Sequence, residues 1–173
     1  MSESPASAVG VRLVPLDETH VALTRVWTND TELARLMDRA RPVTEDEHRN
    51  WFAALRGRED CRYFAVLDGA AHVGNVWLWA IDARHRKAEI RIVIGDGAAR
   101  GRGVGSSAID LVSRHAFEHM GLHRVYAYVL AHNPRARRAF EKAGFVLEGT
   151  LRDDRSVGDG FVDSYLLSRL APG

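Results

Sequence analysis

The chain has 173 residues, 46% of them apolar and 27% charged, and a formal net charge of +1. Those proportions are those of one ordinary globular domain with a single core, and a nearly neutral chain gives no reason to expect a nucleic acid or a membrane surface as partner. Cys61 is the only cysteine, which excludes an internal disulfide and a cysteine zinc site. No apolar run reaches membrane-spanning length. Met1 to Gly10 is Ser/Ala-rich, without the basic start and apolar stretch of a signal peptide. It is expected to be a disordered tail ahead of a domain from residue 11 to residue 170, in a cytoplasmic protein.

Val11 to Leu16 alternates and suits a first strand. Asp17 to Met37 is helical in character, with a break at Thr28-Asn29-Asp30, and Arg39 to Pro42 is a loop. Thr44-Glu45-Asp46-Glu47 is a capping box. The helix it opens carries Trp51, Phe52 and Leu55 on one face, which places Trp51 in the core, and ends near Gly57. Three strands follow: Arg62 to Leu67, Ala71 to Ile81 and Lys87 to Ile94. A glycine-rich loop runs from Gly95 to Gly105, and a helix from Val104 to about Gly121. His123 to Leu130 is a further strand. Asn133-Pro134 starts a helix that stops at Gly144. Two strands close the chain, about Phe145 to Arg152 and Phe161 to Leu170, joined through Gly158-Asp159-Gly160. The order implies a mixed α/β sheet in one domain, without internal repeats.

The central signal is a strand, then Arg100-Gly101-Arg102-Gly103-Val104-Gly105, then a helix. Glycines there let the backbone approach a ligand closely. The free amides of a helix start, together with its dipole, favour an anion such as a pyrophosphate. Arg100 and Arg102 can add charge-assisted bonds. A Walker loop fits poorly, since no Gly-Lys-Ser/Thr follows, and the glycine spacing is not a Rossmann fingerprint. A tight turn that binds nothing stays open on the loop alone, as does a regulator holding another nucleotide.

The stretch Arg100-x-x-Gly103-x-Gly105 resembles the pyrophosphate motif of the GNAT N-acetyltransferases, and Asn133 to Phe145 is similar to the second motif of that superfamily. Glu148-Gly149 and the ending Asp163-Ser164-Tyr165-Leu166 look like its Rim-type branch of ribosomal N-terminal, polyamine and nucleotide-amino-sugar acetyltransferases. The resemblance runs from about Val11 to Leu170. It implies a mostly antiparallel sheet splayed at the cofactor strand and flanked by helices, with acetyl-CoA as cofactor. Backbone groups of Ile92, Val93 and Ile94 would pair with the pantetheine arm. Arg100, Gly101, Arg102, Gly103, Val104, Gly105 and Ser106 would wrap the pyrophosphate. Asn133 would reach the pantetheine arm, and Arg138 or Lys142 the nucleotide end. Many relatives are dimers, which makes a homodimer an expectation of the same kind.

Acetyl transfer needs a neutral amine. Deprotonating a lysine-like amine of pKa ~10.4 at pH 7 costs ~4.6 kcal/mol, against ~1.4 for an α-amino group, so a general base helps the first more. Glu89, on the strand entering the glycine loop, is the leading candidate; an ion pair with Lys87 or Arg91 is the competing role. Tyr128 is the second candidate. Many members of the superfamily place a proton-donating tyrosine in the second motif, where this chain has Phe140. Trp27, Arg39, Arg41 and His48 resemble the acceptor-recognising region of the amino-sugar enzymes, and Trp77 and Trp79, sharing a strand face, are candidates to line the same cleft. His115 and His119 have a metal-capable spacing but no third ligand, so no metal is expected. The implied activity is direct acetyl transfer in a ternary complex to a small-molecule amine such as an amino sugar. An antibiotic amine, a protein N-terminus and a non-catalytic acyl-CoA-binding module are the alternatives.

Overall fold

The computed structural model describes residues 10–37 and 41–173. The proposed N-terminal tail and Arg39 lie outside the described residues, the tail except for Gly10. The elements are β1 (Val11–Pro15), α1 (Glu18–Thr28), α2 (Thr31–Leu36), α3 (Glu45–Leu55), β2 (Cys61–Asp68), β3 (Ala71–Asp82), β4 (Lys87–Ile94), α4 (Val104–Glu118), β5 (Arg124–Leu130), α5 (Pro134–Lys142), β6 (Val146–Val157) and β7 (Gly160–Leu170). A single 3-10 turn, Gly97–Ala99, interrupts the glycine-rich loop.

Local chemistry accounts for most boundaries. The Asp17 side chain accepts from the Thr19 amide at the start of α1. Asp30 accepts from the Leu33 amide, which ends one helix and begins the next at the Asn29–Asp30 break. Thr44 and Glu47 form a reciprocal capping box on α3. Gly144, with φ +83, terminates the α5 segment in the left-handed region that glycine tolerates.

The seven strands form one sheet in the order β1-β2-β3-β4-β5-β7-β6. All neighbours are antiparallel except β4 and β5. That parallel pair is short: Lys87, Ala88 and Glu89 face Arg124, Val125 and Tyr126, and then the strands part. β4 stays paired with β3 through Ile94. The edge of β4 beyond Glu89 that would face β5 is therefore free of strand partners, and the sheet forks there.

One face of the sheet is apolar. Val66, Val76, Leu78, Ala88, Ile90, Val125 and Ala127 pack with Val104, Ala108, Ile109 and Val112 of α4 and with Phe140 of α5. The opposite face, where register aligns Tyr63 with Trp77 and Arg91, and Cys61 with Trp79 and Glu89, carries the aromatic and charged residues. β6 runs five residues beyond the expected Arg152. Register shifts after Leu147 and Leu151, with Asp153 at φ 50, absorb irregularities that end a strand in a pattern of alternation but not in a sheet.

Candidate functional site

Glu89 is the last β4 residue paired to β5, so its side chain stands at the point of the fork. It is 7% exposed and accepts from Arg91 at both oxygens, Nε to Oε1 at 2.7 Å and Nη2 to Oε2 at 3.1 Å. A cavity of about 410 Å³ opens around it, lined also by Trp77, Arg91, Tyr128, Asn133, Phe140 and Ser164. Tyr128 is exposed and packs edge-on against Tyr126 at 5.8 Å. Burial pushes the Tyr126 hydroxyl above its ordinary pKa, with the nearby Glu89 charge acting in the same sense. Phe140 sits in the core against Phe145.

Beyond the fork, a groove of about 360 Å³ runs between the free edge of β4 and α5. It brings together Ile92, Val93, Ile94, Arg100, Gly101, Gly103, Gly105, Ser106, Asn133, Arg138 and Lys142, residues from three separate stretches of sequence. Gly103 stands at the start of α4 with φ +84, and no side chain caps the helix's first amides. Gly101 has φ +78, and a Cβ on it would meet nothing within 4 Å. Gly105 lies close to Ile94 and Ala139, where a Cβ would already be in contact at 3.7 and 3.8 Å. A 15-residue helix with uncapped amides and glycine ahead of them is a ready cradle for an anion.

Two expected members sit differently. Arg102 turns away from the groove to Asp68, 3.4 Å distant, because its loop passes the end of β2. Val104 buries its side chain in the core, leaving only its backbone toward the cradle. Arg100 lines the groove but spends much of its guanidinium on the loop itself: Nε donates to Ile94 O at 2.9 Å and Nη2 to Gly95 O at 3.1 Å.

A third cavity, of about 170 Å³, lies on the polar face under α1 and α3. Its walls include Trp27, His48, Trp51, Tyr63 and Trp77. Tyr63 and Trp77 stack at 5.2 Å with planes 9° apart, and His48 stacks on Trp51 at 4.8 Å. Burial pushes the Tyr63 hydroxyl up to about 12. Asn75 contributes an amide held by His72 Nε2 at 2.9 Å and by Thr24 Oγ, to which it donates at 3.0 Å. Burial pushes the His72 ring below its ordinary value. Met37 lines all three cavities, and Val93 lines both this one and the groove.

The sequence expectations for this cavity sort unevenly. Trp27, His48 and Trp77 line it. Trp51, assigned by its helix face to the core, lines it as well. Arg41 does not; it pairs bidentately with Glu47, at 3.0 and 2.7 Å, which holds the Glu47 carboxyl down to about 2. Trp79 shares a strand face with Trp77 but lies outside the cavity, with the guanidiniums of Arg58 and Arg91 over its ring at 4.6 and 5.3 Å. One member had no sequence signal of its own: Tyr63, aligned with Trp77 only by the β2–β3 register. Beside the cavity, the Asn29 side chain donates to Val43 O at 3.0 Å and accepts from the Val43 amide at 2.8 Å. Among the described residues no cluster of three His, Cys, Asp or Glu could hold a metal ion, and no helix is long and apolar enough to cross a membrane.

The sequence profile of the acetyltransferase (GNAT) domain matches residues 11–146. The chain is similar to spermidine N(1)-acetyltransferase of Vibrio cholerae, 32% identical over 59% of this chain and 59% of that protein, so the match spans less than two thirds of that relative's length. An N-acetyltransferase 9-like protein of Caenorhabditis briggsae is 26% identical over 75% of this chain and 71% of its own length. The solved structure of the Vibrio cholerae spermidine N-acetyltransferase in complex with CoA and spermine superposes with a TM-score of 0.87 at 24% identity, covering 92% of this chain and 95% of that one; at that identity the likeness is one of fold.

Proposed function

The chain belongs to the GNAT acetyltransferase family, and from that premise we propose that it transfers acetyl from acetyl-CoA to the primary amine of a small molecule, by direct attack within a ternary complex. The observation that carries this reading is the fork. A groove with an anion cradle at one end and an aromatic cavity both adjoin the fork cavity, the first sharing Ile92 and Asn133 with it and the second Trp77, and that fork cavity holds a buried carboxylate, Glu89.

The groove fits the cofactor. The uncapped amides at Gly103 to Ser106 suit the pyrophosphate. The unpaired edge of Ile92, Val93 and Ile94 can accept the pantetheine amides as a sheet accepts a strand. Asn133 faces the same arm, and Arg138 and Lys142 lie toward the nucleotide. Bound there, acetyl-CoA supplies an acetyl thioester whose sulfur is the leaving group. Glu89 takes the proton of the incoming amine, the backbone N–H near Val93 meets the carbonyl oxygen as charge develops, and Tyr128 is the phenol within the fork cavity that can return a proton to sulfur, since Phe140 cannot.

The aromatic cavity favours an amino sugar as acceptor. A polyamine, the acceptor named for the Vibrio cholerae relative, carries several ammonium groups. Among the described residues lining this cavity the only carboxylate is Glu47, and it is committed to Arg41 and to the Thr44 amide. Aromatic faces with single amide and hydroxyl groups between them suit a ring with C–H faces and hydroxyls. The polyamine is the second reading, on the strength of the relatives. One neighbour of the fold, a spermidine N-acetyltransferase of Vibrio cholerae, is dodecameric, which supports self-association of this chain.

The test is a thermal melt with acetyl-CoA or ATP, followed by turnover with amino sugars, spermidine and an N-terminal peptide. At ~100 times the dissociation constant, acetyl-CoA should stabilise by ~2.7 kcal/mol, a rise of roughly 5–10 °C. An equal rise with ATP, or none with acetyl-CoA, removes the proposal. Faster turnover of spermidine than of any amino sugar removes the acceptor assignment alone.

A further inference from the structure

The Glu89 carboxylate is held in one orientation by a row of side chains. Arg91, two residues on and therefore on the same face, grips both its oxygens. Trp79 is aligned with Glu89 on the neighbouring strand. Its ring carries the Arg91 guanidinium at 5.3 Å and that of Arg58 at 4.6 Å. Arg58 is itself bidentate to Asp60, at 2.8 and 2.6 Å. The row Asp60–Arg58–Trp79–Arg91–Glu89 thus leads from an exposed turn to the point of the fork. Its two arginines each face one carboxylate and share one indole, so neither cation in it is left without a partner.

We propose that Arg91, backed by Trp79, is a positioning residue for acetyl transfer: it aims the Glu89 carboxylate at the acceptor amine and does not touch the reacting atoms itself. This rests on the acetyltransferase reading with Glu89 as proton acceptor. In that step the N–H proton passes to a Glu89 oxygen, the nitrogen lone pair forms the C–N bond, the C–S bond breaks, and sulfur leaves as a thiolate that takes up a proton. A planar fork that bonds both carboxylate oxygens fixes the plane of the carboxylate and leaves one lone-pair direction on each oxygen unused by Arg91. A lysine would hold the charge without the plane. Misplacing a catalytic group by about an ångström is enough to cost ~100-fold in rate.

The test compares kcat and both KM values for wild type, Arg91→Gln, Arg91→Lys, Trp79→Leu, Glu89→Gln and the double variant Glu89→Gln/Arg91→Gln, each first shown to bind acetyl-CoA in a melt. The expected result is a kcat loss of about 10- to 100-fold for Arg91→Gln with the acetyl-CoA KM unchanged. Arg91→Lys should fall between it and wild type, and Trp79→Leu should lose less in the same sense. The double variant should be no slower than Glu89→Gln alone. Losses that multiply in the double variant, or Arg91→Gln or Glu89→Gln turning over at the wild-type rate, overturn the proposal. Should Arg91→Gln fail the melt, Arg91→Lys and Trp79→Leu decide: wild-type kcat in both overturns it. A wild type that binds acetyl-CoA but acetylates no amine removes the transferase reading, and this inference with it.

Discussion

The indole of Trp27 rests against the backbone of Gly95, so closely that a Cβ on the glycine would collide with the ring. Trp27 is a wall of the aromatic cavity, and Gly95 opens the loop that leads to the anion cradle, its amide bonded to Val73 O at 2.9 Å. The aromatic cavity and the glycine-rich loop therefore touch without an intervening side chain. Gly95→Ala must move one of them. We expect a loss of about 1–3 kcal/mol in stability from overpacking, and a rise of at least about tenfold in the acceptor KM as the ring is displaced, since ~1.4 kcal/mol of lost contact is a factor of ten. Steady-state kinetics with a melt on the same preparation checks both; an unchanged acceptor KM would mean that the ring does not contact the acceptor.

Asn133 has two jobs that can be separated. Its Oδ1 accepts from the Ala136 amide at 3.1 Å and caps α5, while the residue also lines the groove. Serine is as good a cap as asparagine but lacks the amide donor. Asn133→Ser should melt close to wild type without ligand yet show a smaller rise with acetyl-CoA. Asn133→Ala should lose about 1 kcal/mol in addition. Equal rises in wild type and Asn133→Ser would leave Asn133 as a cap alone.

Glu148 joins three strands. It accepts two bonds from Arg124 of β5, each 2.6 Å, and one from the Ser168 hydroxyl of β7 at 2.6 Å. The Arg124 pair first, then Ser168, lower its pKa to about 2. A depressed carboxylate contributes stability above its unfolded pKa of ~4.3 and loses that contribution as pH falls through the folded value. The Tm difference between wild type and Glu148→Gln should therefore be largest above about pH 5 and close as pH approaches 2. Melts across that range decide it; a gap that stays constant would show that the ionised pair contributes nothing. Partial exposure of both side chains keeps the effect modest.

Short-range chemistry was legible in the sequence. The Thr44 capping box, the Asn133 cap and the Lys87–Ile94 strand appear where their residues predict, because each depends on neighbours within a few positions. The glycine-rich turn into α4 was legible for the same reason. Register is what the sequence withholds. Tyr63 meets Trp77, and Trp79 leaves the cavity that Trp77 enters, through pairings between strands that no local pattern specifies. Trp51 is on the face its periodicity gives, but that face covers a cavity instead of a core. Arg102 looked like a ligand for phosphate and Arg41 like a residue of the acceptor region because a guanidinium is the same in every sequence; only the fold shows a carboxylate beside each.

The fork has one more consequence. A strand edge with unpaired amides and carbonyls invites any extended chain to add to it, and proteins usually blunt such edges with charge, proline or a covering loop. Here the inviting edge is in the middle of the sheet. β5 stands on the other bank, held to β4 by three residue pairs at the closed end, and α5 borders the opening. A slender arm can slide along that edge, but a strand that brings neighbours with it cannot follow. The geometry of the fork itself, open to a single arm and too narrow for a second sheet, does the work that charge or proline does on an outer edge.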